Sequence, residues 1–190
     1  NDVLGAETNQ GTAGQQIDID TDYNVTLSDT GNMSASALNT LNGKVPGTLT
    51  VTNAVTLTGT ASDIATAASA DNAGTLALAA NFGATVSAGA VDAADLTTIY
   101  GQTSATINAT AATGINGSAA NVHTVIDHAQ VNHDTNFTVT ISGTSAAAAD
   151  LKAIDAITSG IITATGVETI TGSLSDVGDV VDVDTDTSSA

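Results

Sequence analysis

The sequence predicts a mixed α/β repeat protein, a β-solenoid-like stack of about six strand–short-helix–strand units. Three observations favour this fold class. A helix-start pattern recurs six times at nearly constant spacing, alternating strand segments lie between the copies, and the apolar residues are mostly small aliphatics. Such copies stack well because each position holds a similar side chain in every unit. An all-β sandwich is the alternative, since short strands also recur every ~8–12 residues in places.

The helix-start pattern is a pair of small or polar residues, then an aliphatic residue, then a second aliphatic or Ala three positions later. Residues at i and i+3 share a helix face, and Ser, Asp or Asn just before them favours a helix start. Each helix is predicted to be about two to three turns long, too short to be stable alone. The first aliphatic positions, whose sequence numbers differ successively by 26, 32, 26, 29 and 26, are Leu38, Ile64, Leu96, Val122, Leu151 and Val177.

Alternating segments follow each helix pattern and predict strands. A second short strand is predicted after a turn in some copies. The first strands are expected at residues 48–52, 75–78, 106–108, 137–141 and 161–165, and the second strands at 55–59 and 168–172. One such unit cannot bury its apolar face, so we expect neighbouring copies to share a continuous core.

The apolar composition favours a stack over a compact enzyme. Apolar residues make up 42% of the chain, enough for a sizeable core, yet aromatic residues make up only 2%. Large cores usually take much of their volume from aromatic side chains. A core of Ala, Val, Ile and Leu instead fits closely spaced, repeating layers.

The charge balance bears on partners. The chain has twenty acidic residues, two Lys and no Arg, and its formal net charge is −18. This argues against nucleic acid and anionic membranes as partners, and it favours divalent cations and solubility. The chain has no Cys, which removes thiol chemistry and disulfides. No apolar run approaches the ~18–20 residues of a membrane helix, so no membrane insertion is expected.

One stretch carries a family resemblance. Residues 139–165, with Ala149-Asp150-Leu151-Lys152-Ala153-Ile154 at their centre, resemble repeats of very large bacterial cell-surface and adhesin-like proteins. Similar repeats occur in some phage fibres of cyanobacterial hosts, and the same style of unit covers most of residues 25–180. The resemblance implies an extracellular structural protein without catalytic residues. The Gly-Gly-x-Gly-x-Asp calcium repeat that often accompanies such proteins is absent here.

The two ends carry matching acidic segments. We divide the chain into an N-terminal acidic strand, cap or junction (1–24), a repeat array (25–180) and a C-terminal acidic strand or tail (181–190). Alternation on a strand would place three carboxylates on one face at each end, and calcium, a hard ion with oxygen ligands, suits such sets. The alternative is a solvated strand face. The candidate calcium ligands are Asp18, Asp20, Asp22, Asp182, Asp184 and Asp186.

The ends also predict the partners. The terminal unit of a stack exposes unpaired backbone and apolar surface unless it is capped. We therefore expect either end-to-end self-association, which builds filaments, or contact with neighbouring repeats of a longer chain. The expected function is a building block of a surface layer, adhesin stalk or filament at the cell surface. A surface- or glycan-binding module is the alternative.

Other candidate sites have weaker support. His123, His128 and His133 are spaced by five, so neighbouring ones lie about 140° apart on a helix, and surface histidines are favoured over a metal site. No nucleophile elbow or phosphate loop is present, so no enzyme activity and no cofactor other than calcium is expected. Thr-x-Thr runs at 48–52, 56–60 and 163–165 raise ice binding as a minor alternative, because aligned Thr ladders could order water.

Overall fold

The computed structural model describes the backbone of residues 21–186 and the side chains of residues 21–182. Within this range the chain is mixed α/β, with six helices and sheets of parallel strands. The helices are α1 (Ala35–Asn42), α2 (Ala61–Asn72), α3 (Ala93–Tyr100), α4 (Ala119–Ile126), α5 (Ala148–Ile157) and α6 (Leu174–Asp186). Each of the six predicted aliphatic positions lies in one of them, which confirms the helix pattern.

The strands fall between the helices, and every pair of bonded strands is parallel. Those of the first half are β1 (Val25–Leu27), β2 (Gly31–Ser34), β3 (Leu49–Val51), β4 (Val55–Gly59), β5 (Leu76–Ala77), β6 (Gly83–Val86) and β7 (Gly89–Asp92). Those of the second half are β8 (Ile107–Asn108), β9 (Ala112–Gly117), β10 (Val131–Asn132), β11 (Thr138–Ile141), β12 (Ser145–Ala147), β13 (Ile162–Thr163) and β14 (Thr169–Thr171). The seven predicted strand segments all contain one of these strands.

We call each group of strands together with the helix that follows it a unit. Units 1 to 6 end with α1 to α6, and their first strands are β1, β3, β5, β8, β10 and β13. Strands of one unit pair with strands of the next unit along the chain. Val25 aligns with Leu49, and Ser145 aligns with Thr169. Consecutive helices also pack against each other, so each unit contacts mainly its neighbours.

The helices begin three positions before the key aliphatic residues, at caps that the sequence pattern placed too late. The Thr60 hydroxyl accepts a hydrogen bond from the Asp63 amide at 3.0 Å and donates to the Asp63 carboxylate at 2.8 Å. Thr60 is thus the N-cap, and Asp63 at the third helical position holds the capping hydroxyl. In the four helices with an acidic residue before the aliphatic position, that residue is therefore not the cap, but its charge still lies against the positive helix end.

The core runs through all the units because inward-facing strand positions align across the sheets. One aligned row is Met33, Leu57, Ala84, Ile107 and Val131. Its inner members are buried and Met33, at the end of the row, is only partly covered. Val131, at the other end of the row, is buried although a strand lies on one side of it only, so the row as a whole belongs to one core.

A longer period is superimposed on the unit. In the described part of the chain, units 3 and 5 contain three strands, whereas units 2, 4 and 6 contain two. The strand that precedes the helix belongs to one sheet in units 1 and 2, to a second in units 3 and 4, and to a third in units 5 and 6. The sheet carrying this strand thus changes once every two units. We call units 1–2, 3–4 and 5–6 repeat pairs I, II and III.

Side chains repeat with the pairs as well. Phe82 and Phe137 are both buried, and each stands directly before the second strand of its unit. The buried Thr103 hydroxyl donates to the Phe82 carbonyl at 2.5 Å, and the Thr158 hydroxyl makes the same bond to the Phe137 carbonyl at 2.5 Å. The interval between the two threonines in the sequence equals that between the two phenylalanines. Pairs II and III are therefore two copies of one structure.

Glycine allows the units inside a pair to approach closely. Gly117 ends β9 with φ 154°, and a Cβ there would lie 3.2 Å from the Cβ of Ala93, the first residue of α3. Gly172 stands in the same way over Ala148 of α5, with φ 158° and the same 3.2 Å separation. Only Gly adopts this backbone conformation readily. The small side chain of the buried Ala at the start of α3 and α5 fits this close approach.

Candidate functional site

The N-terminal acidic triplet lies largely outside the described residues. Asp18 and Asp20 belong to residues 1–20, so the strand predicted for residues 17–22 is described only at its last two positions. There the chain forms a turn, and Asp22 is exposed within it. The strand prediction is therefore wrong for Asp22, which lies before the first described strand.

The strand predicted for the C-terminal acidic segment is wrong. Residues 181–186 complete α6 instead of forming a strand, and the domain boundary at residue 181 falls inside this helix. The physical reason is that Val177 and Val180 at helical spacing start a helix that continues into the alternating segment. Asp182 is exposed on it, and the side chains of Asp184 and Asp186 lie outside the described part. The premise of three carboxylates on one strand face does not hold at this end.

No group of three or more His, Asp or Glu side chains in the described part of the chain is placed to hold a metal ion. Calcium at the two ends therefore stays a prediction. Its candidate ligands with described side chains are Asp22 and Asp182, one at each end of the described range.

The three histidines do not converge. His123 places Nδ1 2.8 Å from a carboxylate oxygen of Asp150 in the next unit. His128 stacks on Tyr100 with ring centroids 4.0 Å apart. The two ring nitrogens of His133 lie against backbone carbonyl oxygens, including that of Ile126 at 2.9 Å. Each ring has its own neighbours, in agreement with the interpretation of separate histidines.

Polar contacts join consecutive helices at one recurring place. The residue just after the key aliphatic position of a helix reaches the third position of the next helix, across the unit boundary. Three of these contacts, each at 2.8 Å, join Asn39 to Asp63, His123 to Asp150, and Lys152 to Asp176. They align neighbouring helices without closing a cavity around a ligand.

Lys152 is the most strongly perturbed of these groups. Its ammonium donates to Asp176 at 2.8 Å and to Asp179 at 2.7 Å. These hydrogen bonds, that to Asp176 first, raise the pKa of Lys152 to about 12. The Lys152 bond, together with one from the Ser173 hydroxyl, lowers the pKa of Asp176. The cluster fixes α6 on α5 and neutralises part of the acidic surface of the last unit.

Asp95 shows the opposite effect. Partial burial at the start of α3 raises the pKa of its carboxyl, and the like charge of Asp92, the N-cap of the same helix, raises it further. No cationic side chain in the described part of the chain contributes to this shift. We interpret Asp95 as an effect of helix capping in an acidic chain rather than as a catalytic acid.

Large apolar side chains are exposed on the outer side of unit 6, and we call this surface the C-terminal face. It carries three exposed large apolar side chains, with exposed fractions of 38% for Ile170, 93% for Leu174 and 49% for Val181. Ile161, 75% exposed, precedes β13 and is not part of this face. A contiguous exposed apolar patch marks an interaction surface more often than a single exposed side chain does. This face, rather than the acidic segments, is the candidate functional site.

Ile170, Leu174 and Val181 have covered counterparts in pair II, whereas Thr106, the counterpart of Ile161, is exposed. At the sequence interval that separates Phe82 from Phe137, Ile115, Ala119 and Ile126 occupy the places of Ile170, Leu174 and Val181. Their exposed fractions are 0%, 3% and 5%, because unit 5 lies over them. The C-terminal face is thus the same surface without a neighbouring unit among the described residues.

The outward strand positions form polar rows, but not Thr ladders. The longest row is Ser34, Thr58, Thr85, Asn108 and Asn132. Only two of its five members are Thr. A second row continues from Asn116 through Thr140 to Thr163. Mixed side chains of this kind do not favour ordered binding to ice.

Sequence reasoning missed the repeat pair, although the signal was present. The spacings of the six aliphatic positions alternate between 26 and a longer value, 32 or 29. The two longer values span units 3 and 5, which contain the additional strands β7 and β12. The alternation of the spacings would have indicated a two-unit period.

No helix in the range that the structure describes is long and apolar enough to cross a membrane. Comparison of the chain with protein-family models, with curated proteins and with solved structures gave no match. The case for function therefore rests on the geometry of the units and of the two end faces.

Proposed function

We propose that this chain is a solenoid that serves as a structural building block of an extracellular assembly: a surface layer, an adhesin stalk or a filament. The observation that carries the proposal is the parallel register, which links all six units in sequence order and runs one core through them. Repeats of this kind add length by adding units, because each unit contacts mainly its neighbours.

The placement of polar groups supports a structural rather than a catalytic role. Ser34, Thr60 and Ser118 cap helices, and Thr103 and Thr158 bond the carbonyls at the start of strands. These side chains are engaged in holding the backbone. We accordingly propose that the chain has no enzyme activity.

The composition supports the extracellular location. A net charge of −18, the absence of Cys and the resemblance of residues 139–165 to cell-surface repeats favour a secreted, soluble, non-nucleic-acid-binding protein. The proposed partners are neighbouring repeats or copies of the chain. We include calcium at the acidic ends in the proposal. A rise in melting temperature on adding calcium, reversed by a chelator, would support it, and equal melting temperatures would contradict it.

The location and role are tested together on cells of the source organism. Antibodies against the purified chain should label intact cells, and mild extraction of the surface should release the antigen in large particles. The control is labelling after permeabilisation with an antibody against a cytoplasmic protein. Labelling that requires permeabilisation would contradict the proposal.

A glycan-binding module is the second candidate, favoured by the polar row of Ser34, Thr58, Thr85, Asn108 and Asn132. Its members recur at the strand spacing of about 4.8 Å and carry hydroxyl and amide groups. Binding on a glycan array that Asn108→Ala removes and Ala120→Ser retains would favour this candidate over a purely structural role. An array without binding would count against it.

A further inference from the structure

The two ends of the described chain are complementary halves of an interface that already occurs inside it. Unit 6 is the second member of a repeat pair and unit 1 is the first member of one. Inside the chain, a second member contacts a following first member at two places, between units 2 and 3 and between units 4 and 5. Unit 6 lacks such a partner among the described residues.

Unit 1 presents the other half of this interface. Its strand segment Tyr-Asn-Val-Thr-Leu (23–27) matches Phe-Gly-Ala-Thr-Val (82–86) and Phe-Thr-Val-Thr-Ile (137–141) position by position. Val25 and Leu27 of unit 1 are only partly buried. The counterparts of these two residues in units 3 and 5 are buried: Ala84, Val86, Val139 and Ile141. We call the surface of Val25, Leu27 and Met33 the N-terminal face.

The strand edges have the same complementarity. In the described chain, β14 pairs only with β12 on one side, and β1 pairs only with β3. Both therefore offer a row of backbone N–H and C=O groups for a further parallel strand. Along the chain α6 follows β14 directly, as α4 follows β9 at the unit 4–unit 5 junction.

The internal junctions fix the register of the missing contact. At the first junction Leu57 aligns with Ala84, and at the second Ile115 aligns with Val139. Ile170 is the counterpart of Leu57 and Ile115, and Val25 is the counterpart of Ala84 and Val139. Both junctions give the same alignment, so both predict Ile170 of one copy opposite Val25 of another.

We propose that the C-terminal face of one copy binds the N-terminal face of a second copy, with β14 pairing in parallel with β1 and Ile170 opposite Val25. This inference rests on the proposed structural function and names its partner. The contact is head to tail and continues the repeat, so it generates an open filament rather than a closed dimer. It covers Ile170, Leu174 and Val181, which no described residue covers and whose counterparts in pair II are buried.

The net charge determines the conditions in which the contact forms. Copies of a chain with a net charge of −18 repel one another at low ionic strength. Salt screens this repulsion over about 8–10 Å near physiological ionic strength. The apolar contact is unaffected by such screening, so association should strengthen as sodium chloride rises from about 10 mM to about 150 mM.

Sedimentation velocity of the full chain at increasing concentration tests the association. The wild type should form a ladder of oligomers, and Leu174→Asp should weaken association at least tenfold. The matched control is Ala120→Asp, which adds the same charge to the first turn of α4 at an exposed interior position. Circular dichroism verifies that both variants fold. A monomeric wild type, or equal association of the two variants, would overturn the proposal.

Cross-linking tests the register. The chain has no Cys, so Ile170→Cys and Val25→Cys copies can be mixed under oxidising conditions. The proposal predicts a disulfide between the two variants and little within either alone. Dimers of Ile170→Cys with itself would overturn it in favour of tail-to-tail contact. Surface labelling of cells by a chain that stays monomeric would leave the structural role standing and refute the head-to-tail contact.

Discussion

Units 4 and 6 have matching elements, yet their apolar residues have different surroundings. Ile115 in β9 is fully buried, whereas Ile170 in β14 is 38% exposed. Both residues lie in a strand that precedes a helix, and each strand pairs with a preceding one. What differs is the following unit, which covers Ile115, whereas no described residue covers Ile170 in the same way. Burial in this molecule is therefore set by a unit's neighbours as much as by its own sequence.

The largest expected difference between the two units comes from removing these side chains. Ile115→Ala should destabilise the protein by about 2–5 kcal/mol, because it deletes buried methyl groups and leaves a cavity in the core. Ile170→Ala should cost less than about 1 kcal/mol, since much of its surface is already in water. Urea denaturation of both variants measures the difference. Equal losses would mean that the two units have the same surroundings in solution.

The buried threonine bond should show the next largest effect. Thr158→Val keeps the shape of the side chain but removes the hydroxyl that donates to the Phe137 carbonyl. We expect a loss of about 1–3 kcal/mol, the cost of leaving a buried carbonyl with one donor fewer. Thr103→Val should give a similar loss if pairs II and III are structural copies. Losses that differ several-fold, measured by thermal unfolding, would contradict that equivalence.

Helix caps give a smaller comparison, between α2 and α5. Thr60 caps α2 through its hydroxyl, while Ala147 at the same place in α5 makes no side-chain hydrogen bond. Thr60→Ala should destabilise by about 1 kcal/mol, and Ala147→Ser should stabilise by up to about 1 kcal/mol. Chemical denaturation measures both. The same sign for both substitutions would show that capping does not control these helix ends.

The smallest effect is expected at the exposed Lys152 cluster. Lys152→Met should lower the melting temperature slightly at neutral pH, and Lys44→Met, which removes the same charge elsewhere, serves as the control. The lowered pKa of Asp176 makes its contribution present above pH 3.8 and lost as pH falls further. The raised pKa of Lys152 keeps its contribution below pH 10.5 and removes it as pH rises through about 12.

Melting temperatures of Lys152→Met and wild type across this range test the sign. The two proteins should differ at neutral pH and converge at both extremes. A difference that persists in strong acid would mean that packing of the Lys152 stem, rather than its charge, holds α6 in place.

Much of the fold could be predicted from the sequence, because helix and strand periods are local signals. The residues Ile64 and Leu96 indicated buried helix faces, and residues 55–59 indicated the strand β4 in full. The helix starts were placed too late, because Asp63 is the partner of the cap rather than the cap itself. The position of the cap depends on which hydroxyl accepts from the free amides of the first turn, and the spacing of the aliphatic residues does not encode that choice.

The candidate site could be predicted only in part. The importance of the chain ends could be predicted, because the last unit of a repeat array exposes apolar surface. The secondary structure of residues 181–186 could not, because their alternating pattern is typical of a strand although they continue the helix that contains Val177. The exposed face of Ile170 and Leu174 depends on the absence of a neighbour, a property of the assembled units that no local pattern reports. The alternating spacing of the repeats was the available signal for it.

The central claim is that the chain repeats in pairs of units, and two deletions test it directly. The in-phase deletion removes 82–136 and joins Asn81 to Phe137 as Asn136 joins Phe137 now. Unit 2 is then followed by one first member, which consists of β5 of unit 3 and β11, β12 and α5 of unit 5. The out-of-phase deletion removes 107–130, which takes out one unit and brings one first member after another. Thermal unfolding by circular dichroism should show a cooperative transition for the in-phase deletion and a lower, broader one for the out-of-phase deletion. An unfolded in-phase deletion, or a smaller loss from the out-of-phase deletion, would contradict the two-unit repeat.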